Sequence, residues 1–202
     1  MNELSNIKET LMGRRILIVE DNDSLAQRVR KEFGRYGSEV SIKHTIESGL
    51  AELKENGSTY DLIIVDVRLP AKEKDYDTIK EIIKKLDECY EILLQESEAT
   101  PCSEVSEKEE KAQESRSSLL ELLSPLIRET GGIEMVKKWL CNSDKAKHPP
   151  ILYFSAVADN DIKQNGIKAA GGKNVEWLVK PVSGENLMKI AVDLILEMPI
   201  AD

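Results

Sequence analysis

The chain has 202 residues, of which 32% are charged, and carries a net charge of −9. A globule of this size buries roughly 70% of its unfolded surface and needs no disulfide or metal to hold it together. The negative balance argues against non-specific binding to a phosphate backbone, and no run approaches the ~18 apolar residues of a membrane span. Residues 1–13, an N-terminal extension, lack the apolar core of a signal peptide. Three cysteines without ligand-like spacing (Cys89, Cys102, Cys141) fit a reducing compartment. The chain therefore reads as soluble and cytoplasmic, with neither a membrane nor a nucleic acid as partner.

In chain order, "RRILIVE" (14–20) is a strand by its β-branched run. Asp23 or Ser24 is placed to cap a helix with Leu25, Val29 and Phe33 on one face, closing near Gly34. "EVSIKH" (39–44) alternates as a second strand, and residues 45–57 form a helix ending at Asn56-Gly57. "DLIIVDVRLP" (61–70) is a third strand that drives one carboxylate, Asp66, to the tip of an apolar run. Later come "GGIEMVKKWL" (helix), "PPILYFSA" (strand), residues 159–172 (helix), "VEWLVK" (strand) and residues 183–198 (helix). Strand–helix alternation five times over predicts an α/β fold, a five-stranded parallel sheet between two layers of helices. Gly171 and Gly172 beside Lys173 lack the spacing of a phosphate loop and read as helix stops. His44 and His148 have no ligand partners in the sequence and read as structural.

Residues 71–130 interrupt this rhythm. They hold 16 Asp/Glu against 9 Lys/Arg, a net of −7, whereas the rest of the chain holds 21 against 19. A strand-to-helix connection is normally about 2–6 residues. Ile79, Ile82, Leu86, Cys89 and Leu93 recur at steps of three and four, widened by Ile83, Tyr90 and Leu94. Residues 98–103 read as a turn, and Ser106 with Glu109 as a capping box. A second leucine-rich helix follows, kinked or restarted at Pro125 with Ser124 as cap. The segment is expected to be an antiparallel helical hairpin inserted into residues 14–202, with 103–117 alternatively disordered.

The charged residues gather at strand ends. Glu20 and Asp21 follow the first strand, Asp66 the third, Ser155 the fourth and Lys180 the fifth. In a doubly wound sheet of order 2-1-3-4-5 these ends converge on one cleft. Three carboxylates there repel unless a cation intervenes, and hard oxygen ligands suit Mg2+. A carboxylate can also serve as a nucleophile and carry a phosphoryl group as a mixed anhydride.

This pattern resembles the receiver domain of two-component response regulators. The family signature is an acidic pair after the first strand, a phosphoacceptor Asp after the third, Ser/Thr after the fourth and Lys-Pro after the fifth. Here the matching stretches read "IVEDND", "IIVDVRLP", "YFSA" and "LVKP". The resemblance implies that Glu20, Asp21, Asp66 and the backbone carbonyl of Arg68 hold Mg2+. It implies that Asp66 takes a phosphoryl group from a histidine kinase or phosphotransfer protein, contacted by Ser155 and Lys180. Trp177, three residues before Lys180, stands where the family places a switch aromatic. On this reading the chain is a phosphoacceptor in signalling rather than an enzyme with a turnover substrate. The helical segment is then the expected surface for a downstream protein or a second copy of the chain. The family's glycine after the acceptor loop is matched only by Gly131-Gly132, beyond the interruption, and a DNA-binding output role is not expected of residues 14–202.

Two other readings compete. A phosphohydrolase of the haloacid-dehalogenase type also uses an aspartyl nucleophile, and "DNDS" (21–24) loosely echoes its motif. Glu20 intrudes between strand and Asp21, however, and the late acidic pair of such enzymes is missing. A receiver-like scaffold that binds partners without phosphorylation is the more serious rival.

Overall fold

The computed structural model describes residues 3–99, 107–142, 148–172 and 174–197. Helix α1 (Glu3–Leu11) leads into β1 (Arg15–Val19), α2 (Asp23–Arg35), β2 (Glu39–Lys43), α3 (Ile46–Asn56) and β3 (Leu62–Val65). A two-residue strand β4 (Leu69–Pro70) precedes α4 (Glu73–Ala99), α5 (Glu107–Leu123) and a second short strand, β5 (Ile127–Arg128). The chain closes with α6 (Gly131–Leu140), β6 (Ile151–Ser155), α7 (Asn160–Ala169), β7 (Val175–Val179) and α8 (Gly184–Leu196). The main sheet is parallel throughout, in the order β2-β1-β3-β6-β7, which is the doubly wound arrangement that the alternation of elements predicts.

Alternation along each strand divides the core in two. Leu17, Val19, Ile63, Val65 and Tyr153 face α3 and α6, against Leu50, Leu53, Met135, Val136 and Trp139. Ile16, Ile18, Leu62, Ile64 and Phe154 face α2 and α8, against Phe33, Leu187, Met188 and Ala191. Ile7 and Leu11 of α1 belong to this second cluster, and α1 packs on α8. Its amphipathic pattern is three turns at most, too short to stand out in the sequence.

Local chemistry fixes the element ends. The cap of α2 is Asn22, whose side-chain oxygen accepts the Leu25 N–H at 3.0 Å, rather than Asp23 or Ser24. Asp23 becomes a first-turn acid, favourable at the positive helix end. Thr45 and Ser48 make a reciprocal capping box at α3, and Gly171 and Gly172 end α7 in left-handed conformation (φ 87° and 74°).

Between β3 and α6 the chain forms a helical pair, α4 packed on α5. Ile79, Ile82 and Cys89 of the apolar stripe are buried, as is Ala112 of α5. Ile83, Tyr90, Leu120 and Leu122 stay exposed. Pro125 lies in a 3-10 turn (Ser124–Leu126) that ends α5, and the chain then extends rather than restarting as helix. There β5 pairs antiparallel with β4, Leu69 opposite Arg128 and Pro70 opposite Ile127, so that the two ends of the helical pair are stitched together. The turn at 98–103 and the Ser106–Glu109 box lie, wholly or in their side chains, outside the described residues.

Candidate active site

Strand register places the acidic residues side by side. Val19 is the partner of Val65 across β1 and β3, so the residues that follow, Glu20 and Asp66, leave neighbouring strands at the same level. Backbone bonds hold both ends: the Asp66 N–H donates to the Val19 carbonyl (2.8 Å), and the Glu20 N–H to the Lys43 carbonyl (3.0 Å). Carboxylate oxygens of Glu20, Asp21 and Asp66 all lie within 4.8 Å of one another. Glu20 is only 3% exposed and Asp66 8%.

Lys180 completes the cluster from β7. Its ammonium donates to Glu20 Oε2 at 2.5 Å and to Asp66 Oδ2 at 2.6 Å, and lies 5.1 Å from the centroid of the Phe154 ring. The Lys180 N–H donates to the Ser155 carbonyl (2.9 Å), fixing where the side chain starts. Burial works against this charge, but the carboxylates of Asp66 and Glu20 outweigh it and raise the Lys180 pKa. One cation does not balance three acids in so dry a place. Burial, with the Asp66 charge behind it, pushes Glu20 up to about 7 despite Lys180, and pushes Asp21 up to about 6. Carboxylates held this close, with their charge incompletely compensated, are a donor set that fits a hard divalent cation.

The remaining sequence candidates are placed as follows. The Arg68 N–H donates to Asp66 Oδ1 at 3.2 Å, orienting the carboxylate, and its own side chain is exposed. Ser155 ends β6 fully buried, its hydroxyl accepting the Val157 N–H at 3.2 Å. Trp177 points into the core. It is 7% exposed, donates through Nε1 to the Val157 carbonyl at 3.1 Å, and meets Tyr153 at 5.3 Å between ring centroids.

Two neighbours of the cluster escape a sequence reading. His44, just past β2, places Nδ1 2.8 Å from the Glu20 carbonyl oxygen, and its Nε2 lies 3.9 Å from Asp23 Oδ1. Tyr76 of α4 stacks on that ring, with centroids 4.6 Å apart and planes 4° from parallel. The β1–β2 register, which sets Val19 opposite Lys43, is the signal that would have put His44 beside Glu20. Nothing in the sequence marks Tyr76.

No protein-family model and no curated protein sequence matches the chain. Solved structures do resemble it in fold. A CheY-like response regulator receiver domain protein from Methanospirillum hungatei aligns over 92% of this chain and 96% of its own, with a TM-score of 0.55 and 16% identity. The chemotaxis response regulator CheY4 of Vibrio cholerae aligns over 91% and 99%, at 0.54 and 21%. The non-phosphorylated HemR receiver domain of Leptospira biflexa aligns over 94% and 99%, at 0.55 and 15%. The chain has the fold of CheY-like receiver domains.

Proposed function

We propose that this protein is a response-regulator receiver in phosphorelay signalling, with Asp66 as phosphoacceptor. The observation that carries the reading is the meeting of Glu20, Asp21, Asp66 and Lys180 at the carboxyl ends of parallel strands, with Lys180 Nζ 2.6 Å from Asp66 Oδ2. Glu20, Asp21 and Asp66, with the Arg68 carbonyl, would hold Mg2+, which when bound neutralises charge on the phosphoryl oxygens. An Asp66 carboxylate oxygen attacks phosphorus of a phosphohistidine on the donor protein; the P–N bond breaks as the P–O bond forms, and the imidazole leaves with its electron pair. Lys180 offers an ammonium to the new anion. Ser155 offers its hydroxyl, once released from Val157, and the Arg68 N–H keeps the acceptor carboxylate in position. Trp177 changes its packing as Ser155 moves.

Residues 71–130 are, in this reading, an insertion into a receiver domain of residues 14–202, behind an N-terminal extension. Its charge of −7 and its exposed Ile83, Tyr90, Leu120 and Leu122 suit a basic, partly apolar downstream partner, bound less tightly in salt. Those exposed apolar side chains also favour the second reading, a scaffold that binds through the same helices without phosphorylation.

Incubation with acetyl phosphate and Mg2+, followed by intact-mass spectrometry, separates the two. One added phosphoryl group, absent in Asp66→Asn, is the expected result. Undiminished labelling of the variant would move the site elsewhere, and no labelling of the wild type would leave the scaffold.

A further inference from the structure

The helical pair reaches the acidic cluster through one side chain. Tyr76, on the first turn of α4, is 5% exposed, and its hydroxyl is buried with no hydrogen-bond partner among the described residues. A buried hydroxyl left unpaired is costly and is rare in a native interior. The ring is held tightly: it lies flat on His44, whose Nδ1 is 2.8 Å from the Glu20 carbonyl oxygen, and Lys80 covers it at 5.0 Å. One turn earlier, the Thr45 hydroxyl donates to Glu73 Oε1 at 2.9 Å, which fixes the start of α4 against the same loop. Burial raises the phenol pKa to about 12, and the charges of Asp23 and Asp21 add to it ahead of Glu73 and Asp77 on its own helix. Through His44 the ring is held against the loop that carries the acidic pair, with its buried hydroxyl still unpaired.

We propose that Tyr76 is a positioning residue of the acidic cluster, its hydroxyl bonding to the water shell of a divalent cation held by Glu20, Asp21 and Asp66. Magnesium keeps several of its waters when bound to carboxylates, and a buried, unpaired phenol stacked on the histidine that meets the Glu20 carbonyl is a partner for one of them. Cation binding is thereby felt by α4, because the residue that meets the water shell is part of that helix. The inference rests on reading the cluster as a cation site, and the test keeps the two apart.

The variant is Tyr76→Phe, which preserves the stack on His44 and removes only the hydroxyl. Mg2+ affinity is measured by calorimetry, stability without cation by thermal melting, and protection of residues 74–80 by hydrogen exchange with and without Mg2+. The wild type should bind Mg2+ and slow exchange in α4. The variant should bind about 3- to 10-fold more weakly, the loss expected for one hydrogen bond, and its α4 should no longer respond. Without cation it should melt at the same temperature or higher, since an unpaired buried hydroxyl has been removed. A merely structural tyrosine would lower the melting temperature and leave affinity untouched. Affinity within twofold of wild type with the α4 response intact overturns the inference. A wild type that fails to bind Mg2+ overturns the cation site itself.

Discussion

Gly132 sits against the Asp66 carbonyl so closely that a Cβ on it would come within 2.0 Å of that oxygen. The two residues are 66 positions apart, yet the Gly132 N–H also donates to the Val67 carbonyl at 3.0 Å. The loop after Asp66 and the start of α6 are thus one packed unit, although the helical pair lies between them in the chain. Gly132→Ala should push Asp66 out of place, since Val65 Cγ1 would also be met at 2.8 Å. A loss of about 2–3 kcal/mol in urea unfolding is expected, the scale of overpacking against backbone, together with slower labelling of Asp66. Unchanged stability would mean that the loop yields freely.

Removing the ammonium should expose how much charge it carries. Lys180→Met keeps an unbranched apolar chain but removes the cation over Phe154 and leaves Glu20 and Asp66 buried without their shared partner. Breaking a buried pair in this way costs about 3 kcal/mol, visible as a lower melting temperature at pH 8. Added Mg2+ should restore more stability to the variant than it adds to the wild type. Equal gains in both proteins would place the cation outside this cluster.

The acidic pair sets a pH dependence of definite sign. Glu20 rises from 4.5 to about 7 and Asp21 from 3.8 to about 6 on folding. Acids with a raised folded pKa bind protons more tightly when native, so they favour the fold most at low pH. That contribution is full below about pH 4 and is lost as pH rises through 6 to 7. Without cation, this pair should make the protein less stable at pH 8 than at pH 5.5. Mg2+ competes with the same protons, so its affinity should run the other way, tighter at pH 8 than at pH 5.5. Calorimetric titrations at the two pH values decide the matter, and equal affinities would detach cation binding from Glu20 and Asp21.

The five strands and the charged residues at their ends were legible in the sequence because each rests on a short-range signal. Their order, and with it the convergence of Glu20, Asp21, Asp66 and Lys180, followed only from assuming the usual doubly wound arrangement. Apolar runs mark strands, and a carboxylate or lysine at the end of such a run lands at the edge of the sheet. Trp177 could be read as switch or core from sequence; here its ring is buried and its Nε1–H donates to the Val157 carbonyl, a position that either role allows. His44 and Tyr76 were opaque for a different reason. Their stacking joins β2 to α4 across residues that share no local pattern, and only the register of β1 against β2 brings His44 to Glu20. Pairing of β4 with β5 was equally hidden, because two-residue strands carry no periodicity.

Trp177→Phe should separate packing from chemistry. The Val157 carbonyl loses its donor and the ring contact beside Gly166 shrinks, for about 1–3 kcal/mol by the usual scale of a lost buried hydrogen bond and lost volume. Labelling of Asp66 should persist. Loss of labelling in a variant that still folds would assign Trp177 a direct part in the site.

The ladder of Leu69 and Pro70 with Ile127 and Arg128 makes the helical pair replaceable. A two-residue Asn-Gly turn fits between paired strand ends, so substituting it for residues 71–126 should give a folded domain. It should lose the Thr45–Glu73 bond and any partner that binds the helices. Circular dichroism and a salt-dependent binding assay would check both, and a chain that fails to fold would make the helices part of the core.

That ladder also bears on how the chain finds its fold. Residues 71–126 number 56, and closing so long a loop before β3 can meet β6 is entropically slow. Once the four ladder residues pair, the connection from β3 to β6 shortens from 85 residues to 29, which lowers the closure entropy of that later step by about 1 kcal/mol. Length beyond the ladder then becomes nearly free. Changes in the length or sequence of the helices beyond that socket leave strand order and the acidic cluster where the ladder fixes them.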